Sequence, residues 1–276
     1  DKGLMSYHPD GKYWNFYEWA QGLDGWAEEE DAPGRLDAPL SLFFAMALEK
    51  AAFLAGCVGE GEFASLCLEK RKRLMESFHA VFWDEEKGLY QTYQNSGKEK
   101  LQGHYSQLVQ ALALVTGACP EELRKGLRDR LLEDDEALVP VTISHSIYKY
   151  EALLLGGEAY AGRVLDEIHE RWGRMIFAGT TTFWETDDSL SPFKRGYSLC
   201  HGWTAVPVYL YYAYILGIKP VSPGFRTFTA SPLCGSLECV EGEVPTPFGA
   251  IHIRKERGKE LPELSYPEEI SLINRK

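Results

Sequence analysis

The densest concentration of groups able to do chemistry lies in residues 179–188, GTTTFWETDD. Glu185 stands beside Trp184 and follows the hydroxyls of Thr180, Thr181 and Thr182. A carboxylate in that company suits general-base work, with the hydroxyls orienting a water. The same stretch also suits a structural loop in which Thr and Asp serve helix ends and the aromatic rings pack as filler. A second cluster, Trp14, Asn15, Phe16, Tyr17, Glu18 and Trp19, is followed by Trp26. Aromatic faces stack on sugar rings and carboxylates bond hydroxyls, so this cluster fits a carbohydrate cleft; Trp is equally ordinary core material. His201 follows Glu185 by 16 residues and opens an apolar segment, where a lone His serves as a cap or core group as readily as a ligand.

Other chemistries lack support. His8, His79, His104, His145, His169, His201 and His252 never fall at i, i+3 or i+4 spacing, so no metal site is expected. No Gly-rich phosphate cradle or nucleophile elbow occurs. With 41 acidic and 29 basic side chains the formal charge is -12, which argues against nucleic acid as a partner. No run of 18 or more uncharged apolar residues is present, and no membrane span is expected. The cysteines at 57, 67, 119, 200, 234 and 239 form no C-x-x-C and read as small apolar residues of a reducing compartment, which favours the cytoplasm over export. Cys234 and Cys239 are spaced for a hairpin bridge should the compartment be oxidising. The chain opens DKGLMSYHPDG, without an initiator Met or an apolar targeting segment, as expected of a processed terminus or a piece of a longer polypeptide.

The elements that would position these groups alternate in character. Residues 39–56 crowd apolar side chains on almost every face after a first-turn proline, a pattern that predicts a buried helix. Residues 61–82 separate a charged face from an apolar one, as a surface helix does. The alternation repeats: 104–117 is apolar and 120–133 charged, 143–156 is apolar and 158–172 amphipathic, and 200–217 is a final apolar helix. Residues 78–90, FHAVFWDEEKGLY, read as a turn at a helix end anchored by Trp83. Inner and outer helices joined by short links make about three and a half αα-hairpins. Beyond Pro220 short alternating runs rich in Thr, Val and Ile form a β region of about 55 residues, too small for a robust sandwich of its own.

Several of these residues together resemble a known family. The run Trp172, Gly173, Arg174, Met175, Ile176 is similar to a W-G-x-M-I approach, and residues 179–185 to a G-A-T-T-x-W-E loop. Residues 198–201, SLCH, resemble an S-L-N-H helix start, and Trp14 to Trp19 a W-x-F-x-D-W segment. These are features of the C-terminal half of the α-L-rhamnosidases of glycoside hydrolase family 78, which have a six-hairpin (α/α) toroid. The resemblance spans most of residues 4–253 and is specific over 172–218.

It implies a mainly α fold: a partial (α/α)6 toroid of αα-hairpins over 1–218, then a small, incomplete C-terminal β-sandwich portion over 219–276. It also implies inverting hydrolysis of terminal α-L-rhamnosides, with Glu185 as general base, His201 a contact to sugar hydroxyls and Trp19 an aromatic wall; Trp184 and Glu18 join them as substrate-binding residues. Inversion needs two carboxyls roughly 6.5 to 9.5 Å apart and no cofactor. The family's acid-bearing D-C-P motif, followed by E and G-D, has no counterpart here, so the N-terminal half of the toroid is expected as the partner and the chain alone is expected to be inactive. Glu18 and Asp187 are the first candidates should an acid be present after all. Glu18 stands where the family usually has Asp, which leaves room for a six-hairpin glycosidase of other sugar specificity, or for a catalytically inactive carbohydrate-binding module.

Overall fold

In the computed structural model, the described residues are 3–6, 16–23, 34–133, 135–186 and 198–273. His8, Trp14, Asn15, Trp26, Asp187 and Asp188, all singled out above, lie outside them. The chain forms two compact units, 1–152 and 153–276.

The first unit begins its helical part at a short strand, β1 (Leu36–Asp37), which runs directly into α1 (Ala38–Cys57). The reason is local: Asp37 Oδ1 accepts from Leu40 N at 3.2 Å, satisfying one of the orphan donors of the first turn, and a proline occupies that turn. The helix packs against α2 (Gly61–Phe82) through Leu48, Ala52 and Cys67, with Phe44, Ala51 and Ala64 around them. Only one side of α1 is buried, however. Phe53 and Leu54 remain 54% and 62% exposed, so its apolar content exceeds what the described neighbours cover.

Helix α1, with Glu49 and Lys50 as its only charges, is by length and composition long and apolar enough to cross a membrane, a criterion that the core helix of a folded domain also meets.

After α2 the chain turns through β2 (Trp83–Asp84) and β3 (Leu89–Tyr90), an antiparallel hairpin. Asp84 closes it by accepting from Lys87 N on its side chain and from Gly88 N on its carbonyl, as the turn residues predict. Strand β4 (Tyr93–Gln94) pairs with β1. Helix α3 (Gln107–Thr116) starts at a Ser106 cap, closes on Gly117 at φ 78° and is almost wholly buried. Helix α4 (Glu121–Leu132) carries two acids in its first turn and an arginine in its last, both favourable to the helix dipole. Helix α5 (Ser146–Leu154) completes the inner series here.

The second unit contains α6 (Glu158–Phe177), five residues longer at its C-terminal end than the sequence pattern suggested. The expected final helix over 200–217 is instead a 3-10 turn at Gly202–Thr204, the short α7 (Val206–Leu210) and a π turn over Tyr211–Ile215. Pro207 explains the late start, because it has no N–H to give to the carbonyl four residues earlier and so belongs in a first turn. The π turn closes with Leu216 N donating to Tyr211 O at 2.7 Å.

Two small sheets follow. Strand β5 (Ile218–Pro220) pairs antiparallel with β6 (Thr227–Ala230). Strands β7 (Cys239–Thr246), β8 (Gly249–Glu256) and β9 (Glu263–Ser265) form an antiparallel sheet, with Val244 opposite Ile251 and Gly242 opposite Ile253. The last strand, β10 (Ser271–Leu272), returns parallel to β6. Ile218, Phe228, Val244, Ile251, Ile253 and Ile270 make the β core. All six cysteines are free thiols, Cys234 and Cys239 included.

Candidate active site

Glu185 lies in the link between α6 and α7, and a second segment of the same unit comes alongside it. Glu185 N donates to Ser198 O at 2.9 Å, and His201 N donates to Phe183 O at 2.8 Å. The carboxylate is held in the same way, since Ser198 N donates to Glu185 Oε2 at 2.9 Å. The loop and the helix start that the sequence marked separately are therefore one structure. Glu185 is half-buried, takes part in no ion pair among the described residues, and its Oε1 makes no hydrogen bond among them. One carboxylate oxygen is thus anchored to the backbone of the second segment.

Thr204, fully buried, clamps the two segments. Its hydroxyl lies 2.7 Å from Trp184 O and 2.8 Å from His201 O, while its own carbonyl accepts the indole N–H of Trp172 in α6 at 2.9 Å. On the outer side Thr182 Oγ1 donates to Leu199 O. Trp184 is 8% exposed and its Nε1 finds no hydrogen-bond partner among the described residues. The His201 ring is half-buried and stacks on Trp203, with centroids 6.2 Å apart and planes at 21°. Trp203 is 53% exposed. Sequence reasoning missed both Thr204 and Trp203; the run H-G-W-T after the S-L-C segment was the available signal for an aromatic group beside His201.

Trp19 and Glu18 belong to the first unit. Trp19 is 47% exposed and meets Phe16 edge-on, with centroids 4.7 Å apart. Glu18, its neighbour, is 2% exposed, and its Oε2 accepts from both the N–H and the hydroxyl of Thr142, at 2.9 and 2.8 Å. His145 Nδ1 lies 3.5 Å from the same oxygen. Burial pushes the His145 imidazole down to about 4. A carboxylate pulls the other way, but this one is beyond hydrogen-bond reach and already engaged by two donors, so burial governs and the ring is neutral near pH 7.

A buried polar set surrounds that turn. Tyr17 hydrogen-bonds Asp37, the fully buried cap of α1, and burial raises the phenol well above its ordinary range. Burial likewise raises Asp37, against the opposing pull of Tyr17, Arg35 and the Leu40 amide. Arg35 lies 3.2 Å from Asp37 Oδ2 and over the Tyr93 ring at 4.5 Å. None of Thr142, His145 and Asp37 was marked from sequence as a site residue, although Asp before Ala-Pro is a legible helix cap. Among the described residues no group of three or more His, Cys, Asp or Glu is placed to hold a metal ion.

The fold is that of a six-hairpin glycosidase followed by a β-stranded domain, and the chain belongs to the bacterial α-L-rhamnosidase six-hairpin glycosidase family, whose domain it matches over residues 5–215. Residues 217–265 match the bacterial α-L-rhamnosidase C-terminal domain. Among individual relatives, an α-L-rhamnosidase of Alteromonas sp. (strain LOR) is 27% identical over 259 residues, covering 86% of this chain and 26% of the relative. Among solved structures, the GH78 family rhamnosidase of Bacillus sp. GL1 is 28% identical with a TM-score of 0.77, covering 99% of this chain and 29% of that one. The Streptomyces avermitilis α-L-rhamnosidase, complexed with L-rhamnose, shares the fold at 20% identity and a TM-score of 0.71, over 99% of this chain and 25% of its own. The chain thus spans between a quarter and a third of the length of these proteins.

Proposed function

We propose that this chain carries the general base and part of the sugar site of an enzyme that hydrolyses terminal α-L-rhamnosides with inversion. The observation that carries this reading is the Glu185 carboxylate: half-buried, fixed through Oε2 to a backbone N–H, and with Oε1 open. Inversion requires a carboxylate that takes a proton from water on one face of the sugar while an acid protonates the departing oxygen on the other. Anchoring one oxygen fixes the direction of the second and removes the orientational freedom that a surface glutamate has. His201, in the segment bonded to the Glu185 loop, serves as a partner for sugar hydroxyls. Trp19 supplies an apolar face for the ring, with Glu18 beside it in the chain, and Trp184 stands beside Glu185. Residues 1–218 form the catalytic helical part and 219–276 the β region. The general acid of the family's D-C-P motif has no match in this sequence, so residues 1–276 alone are expected to show no turnover.

The test is Glu185→Gln in the intact gene product, assayed on an aryl α-L-rhamnoside with a panel of other aryl glycosides in parallel. Loss of general-base help lowers kcat by roughly 10² to 10⁴; a near-normal kcat removes Glu185 from catalysis. NMR of the anomer first released decides the stereochemistry, and a β-configured first product supports inversion. Turnover of another glycoside in place of the rhamnoside moves the specificity elsewhere in the fold class.

A further inference from the structure

The turn that carries Trp19 is tied down at more points than its own backbone requires. Within the turn, Tyr17 N and Glu18 N both donate to Leu23 O, at 3.0 and 3.4 Å, and Leu23 N donates to Ala20 O at 2.9 Å. From outside, His104 Nε2 donates to Gln21 O at 2.9 Å and the Tyr93 hydroxyl to Gly22 O at 2.8 Å. Tyr17 reaches Asp37. A further tie is Glu18 to Thr142, across 124 positions of chain.

Burying a carboxylate is costly unless hydrogen bonds replace its hydration. Here the two Thr142 donors do so for Oε2, while the next residue is a half-exposed indole. A pin on one side of an aromatic group and solvent on the other is what pre-organises a stacking surface, because the turn cannot swing when the ring is loaded.

We propose that Glu18 is a positioning residue for Trp19: through its bonds from Thr142 it sets the angle at which the indole receives the apolar face of the sugar, without touching the sugar itself. This rests on the reading of Trp19 as a sugar wall, and the experiment separates the two.

Kinetics on an aryl α-L-rhamnoside are measured for the intact gene product carrying Thr142→Val, Trp19→Ala and both. Thr142→Val removes one of the two donors and raises KM by about five- to tenfold with kcat within about twofold, the scale of one typical net hydrogen bond. In the Trp19→Ala background the same change moves KM by less than about twofold, because coupled residues are not additive. Thr142→Ser, which keeps the hydroxyl, recovers the parent KM. A merely structural Thr142 would lower the melting temperature and the active fraction but leave the two substitutions additive in KM, and that additivity overturns the proposal. Glu18→Gln added to Trp19→Ala is the control for direct contact: a further rise in KM above about fivefold means that Glu18 bonds the sugar. If Trp19→Ala leaves KM unchanged, the sugar-wall reading fails and takes the positioning role with it. If it raises KM but the cycle is additive, only the positioning role fails.

Discussion

Thr204→Val is the perturbation that tests whether the two halves of the Glu185 site are one unit. Valine has nearly the shape of threonine, so the substitution leaves no void; it removes the hydroxyl donor and sets a methyl group against the two carbonyls that the hydroxyl joined. The hydroxyl proton is shared between Trp184 O at 2.7 Å and His201 O at 2.8 Å. His201 O keeps a second donor, the Thr204 amide at 3.2 Å, whereas Trp184 O loses its hydrogen bond in a fully buried setting. An unsatisfied buried carbonyl costs about 1 to 3 kcal/mol, and because the loss falls where 183–185 meets 198–201, it appears as easier local opening. That free energy corresponds to about a five- to 150-fold faster amide exchange.

The reporters are the Glu185 and His201 amides, which bond across the two segments and are followed by hydrogen exchange with peptide-level mass spectrometry. Under the proposed mechanism kcat on an aryl α-L-rhamnoside falls by about tenfold in parallel, as the carboxylate loses its fixed direction. A folded Thr204→Val protein whose Glu185 and His201 amides exchange within about twofold of the parent refutes the clamp.

Further expectations concern the scaffold. Gly217→Ala places a Cβ 2.2 Å from the Ser231 carbonyl carbon at a residue with φ +70°. Backbone cannot yield there as a side-chain end can, so a loss of more than about 3 kcal/mol is expected, seen as a large fall in melting temperature or as insoluble protein; a shift of a degree or two would contradict the packing of β5 beside 231. His145 is neutral when folded, with its pKa lowered from 6.5 to about 4. The stabilisation from keeping it unprotonated is complete above pH 6.5 and disappears as pH falls toward 4, by up to about 3 kcal/mol. Denaturant titrations of the parent and of His145→Gln across that window should therefore diverge, the parent having the steeper loss on acidification; parallel curves would mean the imidazole is not held neutral.

Much of the scaffold was legible from short-range patterns. The helices at 39–56, 61–82, 104–117 and 120–133 appear close to their expected bounds, because helical periodicity, first-turn prolines and closing glycines act within a few residues of one another. The Asp84 turn was legible for the same reason. The final helix was not: in place of one helix over 200–217, Pro207 delays the α-helical start and a π turn alters the end. The exposure of Phe53 and Leu54 was equally out of reach, since the apolar pattern of α1 states what the helix can bury and not what lies beside it. The same ambiguity makes α1 pass for a membrane span on composition alone.

The site divides along the same line. Residue type and order marked Glu185, Trp184, His201, Trp19 and Glu18, and the likeness of their segments to a family's motifs pointed to that family, because those properties are written in the chain itself. The chain does not state which backbone amide a carboxylate will find. Ser198 anchoring Glu185, Thr204 joining Trp184 to His201, and Thr142 holding Glu18 across 124 positions are meetings between segments whose separation along the sequence carries no rule. They arise only when packing brings the links before the inner helices against their neighbours, and at that point an acidic residue acquires a direction.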